Sequence, residues 1–399
     1  MEFKIEDHTI FITIHGSHAY GMSRPDSDVD MTGIAIPPKI YFHGFSKRFE
    51  QFKGVFPRNH NGFIQRTERA VGRSVPSDEK IDSTIYDIRK FLKLASDCNP
   101  NIIEMLFTDE KFHIISSPLA DKLIENRDLF LSTKAKFRFC GYAFSQLKRI
   151  KSHRSWLLNP IERKPTREDF GLPNHSIISR DHREAAEGLI KKQVHKWILL
   201  EEELPREVLE TVRGNTIQAL TEMWESLVEL SQDFEEINNV PFPINEDGFD
   251  INTLSNAAGK RLGYDTNFLA FLDSERKYRS ALRNYQQYQE WKKNRNPIRA
   301  EMEAGFGYDL KHASHLVRLL KMSEEIIKEG KVVVYRPDAE ELLAIRNGAW
   351  TYEKLIEWAE NKQKKLDEFY ESGKSPLPKV PNYNKIDKLC MELVEESFK

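Results

Sequence analysis

A chain of 399 residues, 39% hydrophobic and 31% charged, has room for about two to three domains and is neither disordered nor fibrous in composition. Its formal net charge of −2 excludes a globally basic nucleic-acid binder, so any basic surface has to be local. Three scattered cysteines (Cys98, Cys140, Cys390) in no metal spacing argue for a reducing cytoplasm and against zinc, no apolar run reaches the ~18 residues of a membrane span, and the charged opening MEFKIEDHTI does not read as a signal peptide.

The first predicted strand covers residues 8–14 and stops at Gly16-Ser17. A short helix or turn around 19–23 leads through Arg24-Pro25-Asp26 into a second strand that carries Asp28 and Asp30 on either side of Val29. Strand periodicity puts the two carboxylates on one face, with Val29 and Met31 pointing into a core. Adjacent carboxylates repel, and a divalent cation such as Mg²⁺ (or Mn²⁺) removes the repulsion with the oxygen ligands it prefers. Gly16 allows close backbone approach to a ligand, and Ser17 offers a hydroxyl and an N–H to phosphate oxygens. If a helix begins near His18, its N-terminus favours the same anion. Asp26 shares the alternation but follows Pro25, which makes it a turn residue.

This pattern of apolar residue, Gly-Ser, spacer and Asp-apolar-Asp resembles the signature of DNA polymerase β-type nucleotidyltransferases. The fuller strings GSHAYG and SDVD resemble the subgroup called RlaP-like, associated with RNA repair. The resemblance implies an α+β fold: an N-terminal nucleotidyltransferase core over 1–130, with a mixed sheet and flanking helices, and a mainly helical region over 131–399. It also implies a third carboxylate on a strand beside the acidic pair. Asp82, at the start of a strand over 81–86, fits that role better than Asp87, which sits before IRKFLKLA as a helix N-cap. Asp28, Asp30 and Asp82 would then be the catalytic, metal-binding residues of a two-metal transfer of a nucleotide from an NTP to a hydroxyl.

Residues 39–79 read as an irregular loop or hairpin excursion, either a substrate flap or a surface insertion. Asn99-Pro100 starts a helix that carries Glu104, a secondary site candidate. Between 134 and 167 there are ten Lys or Arg and one acid. Lys148, Arg149, Lys151 and Arg154, interleaved with Phe137, Phe139, Tyr142 and Trp156, suit single-stranded RNA; an amphipathic helix with buried aromatics explains the same pattern equally well. A proline-punctuated connector (156–173) is followed by helical periodicity over 180–230, a looser stretch (233–265) and a long helix over 267–294 whose aromatic stripe reads as a core face. His182 and His195 read as ordinary structural or surface histidines.

The second landmark is GFGYDLKHASHLVRLLKM. On a helix near 309–320, Lys311, His315 and Arg318 share one face and suit a cleft that binds triphosphate or RNA phosphates. This stretch, continuing through RPDAEELLAIRNGAW, again resembles the RlaP-like group, whereas 174–290 matches it least. A charged helix over 352–370 precedes a tail that docks or frays. The partners implied are an NTP and an RNA or tRNA 3′ end. A protein hydroxyl, as in toxin–antitoxin relatives, and a nucleotide- or RNA-binding module without turnover stand as alternatives.

Overall fold

The computed structural model describes residues 3–25, 27–58, 62–199, 251–295 and 297–399, with the backbone alone at 195–199, 251–254 and 297–299. Asp26, the side chain of His195 and the predicted helix beyond 199 lie outside the described residues. The described chain forms two compact units, one of residues 1–151 with 306–399 and one of residues 152–305.

The first unit is built on a five-stranded mixed sheet whose strands lie in the order Gln51–Val55, Ile81–Asp87, Val29–Ala35, Thr9–His15 and His113–Ser116. Strands β1 (Thr9–His15) and β2 (Val29–Ala35) are antiparallel, and β2 runs parallel to β4 (Ile81–Asp87). The edges are β3 (Gln51–Val55), antiparallel to β4, and β5 (His113–Ser116), antiparallel to β1. Along β2, Val29 and Met31 are buried while Asp28 and Asp30 are exposed, the alternation a half-buried strand imposes.

Parallel neighbours cannot be joined by a tight turn, so the chain must cross over between the end of β2 and the start of β4. The stretch read as an irregular excursion does this. It contains β3 and the helix Phe63–Val71, and it buries Phe56, Phe63 and Val75 in the sheet core. Helix Ile88–Ser96 follows β4, N-capped by Asp87, whose carboxylate accepts from the backbone N–H of Arg89 at 2.8 Å. Pro100–Leu106 is capped by Asn99 in the same way. The tail does not fray: Ile386, Leu389 and Leu393 form the buried stripe of helix Tyr383–Ser397, which packs against Ile88–Ser96 and Pro118–Glu125.

The long helix Lys134–Leu158 leaves the first unit, and helices Leu310–Glu329, Ala339–Arg346 and Tyr352–Glu371 complete that unit. The second unit contains helices Arg180–Leu199, Ile251–Arg261, Thr266–Asn294 and Pro297–Phe306. There Trp156 donates to Asn284 at 3.0 Å and packs with Tyr288 and Trp291, so part of the aromatic stripe of Thr266–Asn294 faces a core. His182 is exposed. Among the described residues no helix is long and apolar enough to cross a membrane.

Candidate active site

The parallel register pairs Asp30 with Asp82 and leaves Asp28 one residue ahead of the ladder. Both paired carboxylates are exposed on one face at the same end of adjacent strands, which are about 4.8 Å apart. Asp87 lies at the far end of β4, buried and committed to Arg89, to which it is also ion-paired at 3.0 Å. On the other side of β2, Asp30 faces His15 across the antiparallel ladder.

Gly16 continues directly from His15 with φ +71°, a conformation that only glycine adopts without strain. A Cβ there would lie 3.3 Å from Asp30 Oδ2, so the backbone and the carboxylate are in close approach. The chain then coils through one turn, with Tyr20 N–H donating to Gly16 O and Met22 N–H to Ser17 O, so the short helix or turn expected over 19–23 is a turn and no helix begins at His18. Ser17 is half-buried beside this turn.

Burial raises the Asp30 carboxyl above its ordinary value even though the side chain reaches solvent. Asp28 and Asp82 push it the same way, while His15 and Lys311 oppose them. The Asp28, Asp30 and Asp82 carboxylates supply the oxygen donors a divalent cation takes. They are not among the described groups whose donor atoms all lie within 4.8 Å of one another.

Behind this face lies a buried polar network that joins four segments. Glu104, 1% exposed, receives the phenol of Tyr20 and pairs with Arg318 Nη1 at 2.5 Å. The Arg318 guanidinium also lies 3.7 Å from the centre of the Tyr20 ring. His15 Nε2 stands 3.7 Å from the Glu104 carboxylate and 3.5 Å from the Tyr20 hydroxyl. Burial pushes the Tyr20 phenol well up, which keeps it a donor, and pulls the His15 imidazole down. The network therefore fixes β1's end and the Gly16 turn against helix Leu310–Glu329. The sequence signal for it was a lone carboxylate in the apolar run NIIEMLF, a position that requires a cationic partner.

Of the three residues expected on one helix face, Lys311 and His315 are half-buried and Arg318 is buried in the pair with Glu104. Lys311 acts electrostatically on Asp30. His315 is held well below its ordinary value by burial first, then by the charges of Arg318, His312, Lys311 and Arg346. Cationic groups therefore adjoin His315, although its burial is the larger effect and His312 is itself paired with Asp309. From the other side, Arg336 N–H donates to Tyr20 O at 3.1 Å, and Arg24 donates to Asn347.

The basic segment is largely occupied within the fold. Lys134 and Arg138 engage Asp97, Lys136 pairs with Asp367 at 2.5 Å, Arg163 with Asp169 and Arg167 with Glu275. Phe139 and Trp156 are buried, Phe137 packs edge-on against Tyr370, and Tyr142 accepts from Asn99. Lys148, Arg149, Lys151 and Arg154 are half-buried, and burial lowers the Arg149 guanidinium.

The first unit thus carries carboxylates on neighbouring strand ends beside a Gly-Ser turn, the pattern whose resemblance to polymerase β-type nucleotidyltransferases the sequence suggested. Comparison with known proteins agrees: residues 2–159 match the RlaP family model, described as an RNA repair pathway DNA polymerase beta family. The resemblance to the RlaP-like group therefore holds over the N-terminal region. A phage relative, an uncharacterized 38.9 kDa protein in the nrdC-mobD intergenic region of Enterobacteria phage T4, is 30% identical over 141 residues. That alignment covers 35% of this chain and 37% of the relative, so the chain spans little more than a third of the relative's length. No solved structure matches the chain.

Proposed function

We propose that the protein is a divalent-metal-dependent nucleotidyltransferase that moves an NMP from an NTP to a hydroxyl, with an RNA or tRNA 3′ end as the preferred acceptor. The observation that carries this reading is the in-register pairing of Asp30 with Asp82, flanked by Asp28 and by the Gly16 turn. Asp28, Asp30 and Asp82 would hold Mg²⁺ or Mn²⁺, which when bound supplies Lewis-acid stabilisation of an in-line displacement. Ser17 and the backbone after Gly16 donate to phosphate oxygens, while Lys311 supplies positive charge and His315 a neutral ring N–H for the triphosphate. Asp82 accepts the proton of the attacking hydroxyl. Arg318 acts through Glu104 and the Gly16 turn, holding the phosphate-binding backbone in place. Lys148, Arg149, Lys151 and Arg154 would contact RNA phosphates.

A protein hydroxyl as acceptor is favoured by one observation: the aromatics of the basic segment are packed, which removes the stacking surface single-stranded RNA would use. One assay separates the readings. The protein is incubated with Mg²⁺, each α-labelled NTP, cellular RNA and protein extract, with the Asp28→Asn/Asp30→Asn variant as blank. A labelled RNA band supports the preferred acceptor, and a labelled protein band moves the reading to protein nucleotidylation. Label equal to the blank across all acceptors favours a nucleotide- or RNA-binding module.

A further inference from the structure

The crossover between β2 and β4 does more than return the chain. We propose that Arg73, held by Glu79, is a positioning residue that locks the entries to β2 and β4 together and so sets the spacing of Asp28 and Asp30 against Asp82. The inference rests on the metal-site reading above and adds to it a determinant of metal affinity.

The contacts are specific. Arg73 Nη1 and Nη2 donate to the two oxygens of Glu79 at 2.8 and 2.6 Å, a bidentate pair. The same Nη2 donates to the carbonyl of Ser27 at 3.2 Å. Ser27 immediately precedes Asp28, and Glu79 lies three residues before Asp82. Because Val29 is paired with Ile81 at the start of the parallel ladder, Ser27 and Glu79 occupy matching positions two residues beyond it. The guanidinium thus spans the two strand entries at the point where the ladder ends.

Arg73 is itself supported from behind. Helix Phe63–Val71 ends at Gly72, Val75 N–H donates to Glu68 at 3.0 Å, and Val75 is buried in the core. Arg58 donates to Pro76 O at 2.7 Å and also to Glu79 O, fixing the turn that presents Glu79. His18 Nε2 approaches the same Ser27 carbonyl at 3.5 Å. An ion pair this close to the surface contributes little to stability by itself. Its placement bears on geometry: without it, the strand entries keep the ladder from Val29 and Ile81 onward but lose the side-chain bridge that sets Ser27 against Glu79.

The test is Mn²⁺ binding to the full-length protein, read from the electron paramagnetic resonance signal of free Mn²⁺, with a thermal melt of each variant. Partners that orient metal ligands typically change affinity by about 10- to 100-fold when removed. Arg73→Ala is expected to weaken Mn²⁺ binding by at least roughly tenfold on that scale, with its melting midpoint close to wild type. Arg73→Lys should not restore affinity, since an ammonium cannot hold Glu79 and Ser27 in the same planar fork. Glu79→Gln, which keeps the shape and loses the charge, should also weaken binding, and it carries the test if Arg73→Ala fails to fold. Wild-type Mn²⁺ affinity in folded Arg73→Ala or Glu79→Gln overturns the positioning role while leaving the metal site intact. Wild-type protein that binds no more Mn²⁺ than Asp28→Asn/Asp30→Asn overturns the metal site, and the positioning role with it.

Discussion

Replacing Arg318 with Met would strand the Glu104 carboxylate, 1% exposed, with the Tyr20 phenol and His15 as its remaining neighbours. Breaking a buried pair by removing one partner costs about 3–5 kcal/mol, because the survivor stays charged and desolvated. Glu104→Met should be at least as damaging, since a stranded carboxylate can take up a proton at neutral pH whereas a guanidinium cannot give one up. For a folded unit of this size each kcal/mol shifts the melting midpoint by about 2–4 °C, so each single variant should lose roughly 6–20 °C. The double variant Glu104→Met/Arg318→Met removes both charges and leaves only the Tyr20 hydroxyl without its acceptor, a cost of about 1–3 kcal/mol. Urea melts of the four proteins complete the cycle. A double variant more stable than either single one is the expected result. Losses that simply add, with coupling under about 0.5 kcal/mol, would show that the two groups do not depend on each other and would refute the network.

Three further expectations follow from the placement of individual groups. Asp82→Asn should abolish nucleotide transfer with little change in stability, whereas Asp87→Ala should keep transfer and lose about 1 kcal/mol with its helix cap; the reverse pattern would exchange their roles. Neutralising Lys148, Arg149 and Lys151 to Gln should lower the slope of log K against log salt for single-stranded RNA by about 2, at ~0.7 per phosphate contact, and an unchanged slope would remove this helix from the RNA surface. His315 is held below its ordinary value in the folded chain, so the unfolded chain binds the extra proton first and stability falls as pH drops below about 6.5, the unfolded value. The fall should be shallower in His315→Asn, and a melting midpoint with the same pH dependence in both proteins would contradict its burial beside the neighbouring cations.

The carboxylates were legible in the sequence because their pattern is local. Two residues apart on a strand fixes a shared face, and an apolar residue between them fixes which face is buried. Strands β1, β2 and β4 and the helices with long apolar periods were legible for the same reason. The edge strand QFKGV and the nine-residue helix FIQRTERAV were not, because each is short and takes its stability from Phe56, Phe63 and Val75 packing on a sheet assembled from elsewhere. The C-terminal helix left its stripe at Ile386, Leu389 and Leu393, but whether it docks depends on helices far earlier in the chain. The site's supporting contacts are the least legible part. Tyr20 reaches Glu104 across 84 residues and Glu104 reaches Arg318 across 214, and no periodicity encodes such pairings. Arg318 shows the consequence: helical spacing puts it with Lys311 and His315, yet its length lets it turn inward to the acid that needs it.

The near-neutral net charge conceals a separation that the fold creates. Asp28, Asp30 and Asp82 gather on one end of the sheet, while Arg318, His312, Lys311 and Arg346 act together on His315 on the helical side. Opposed fields of this kind are costly to maintain when the interior can deform, because each group would relax toward its nearest counter-ion. The Glu104–Arg318 pair is fully internal, so it supports this arrangement without itself meeting an incoming ligand. A buried pair is weak evidence for stability but is well suited to fixing one arrangement among several. Here the arrangement fixed is the Gly16 turn against Asp30, where a Cβ on Gly16 would come within 3.3 Å of the carboxylate and where the backbone must stay open for phosphate. The internal pair and the Arg73 bridge would then constrain the same three carboxylates from opposite sides, one through β1 and its turn, the other through the strand entries.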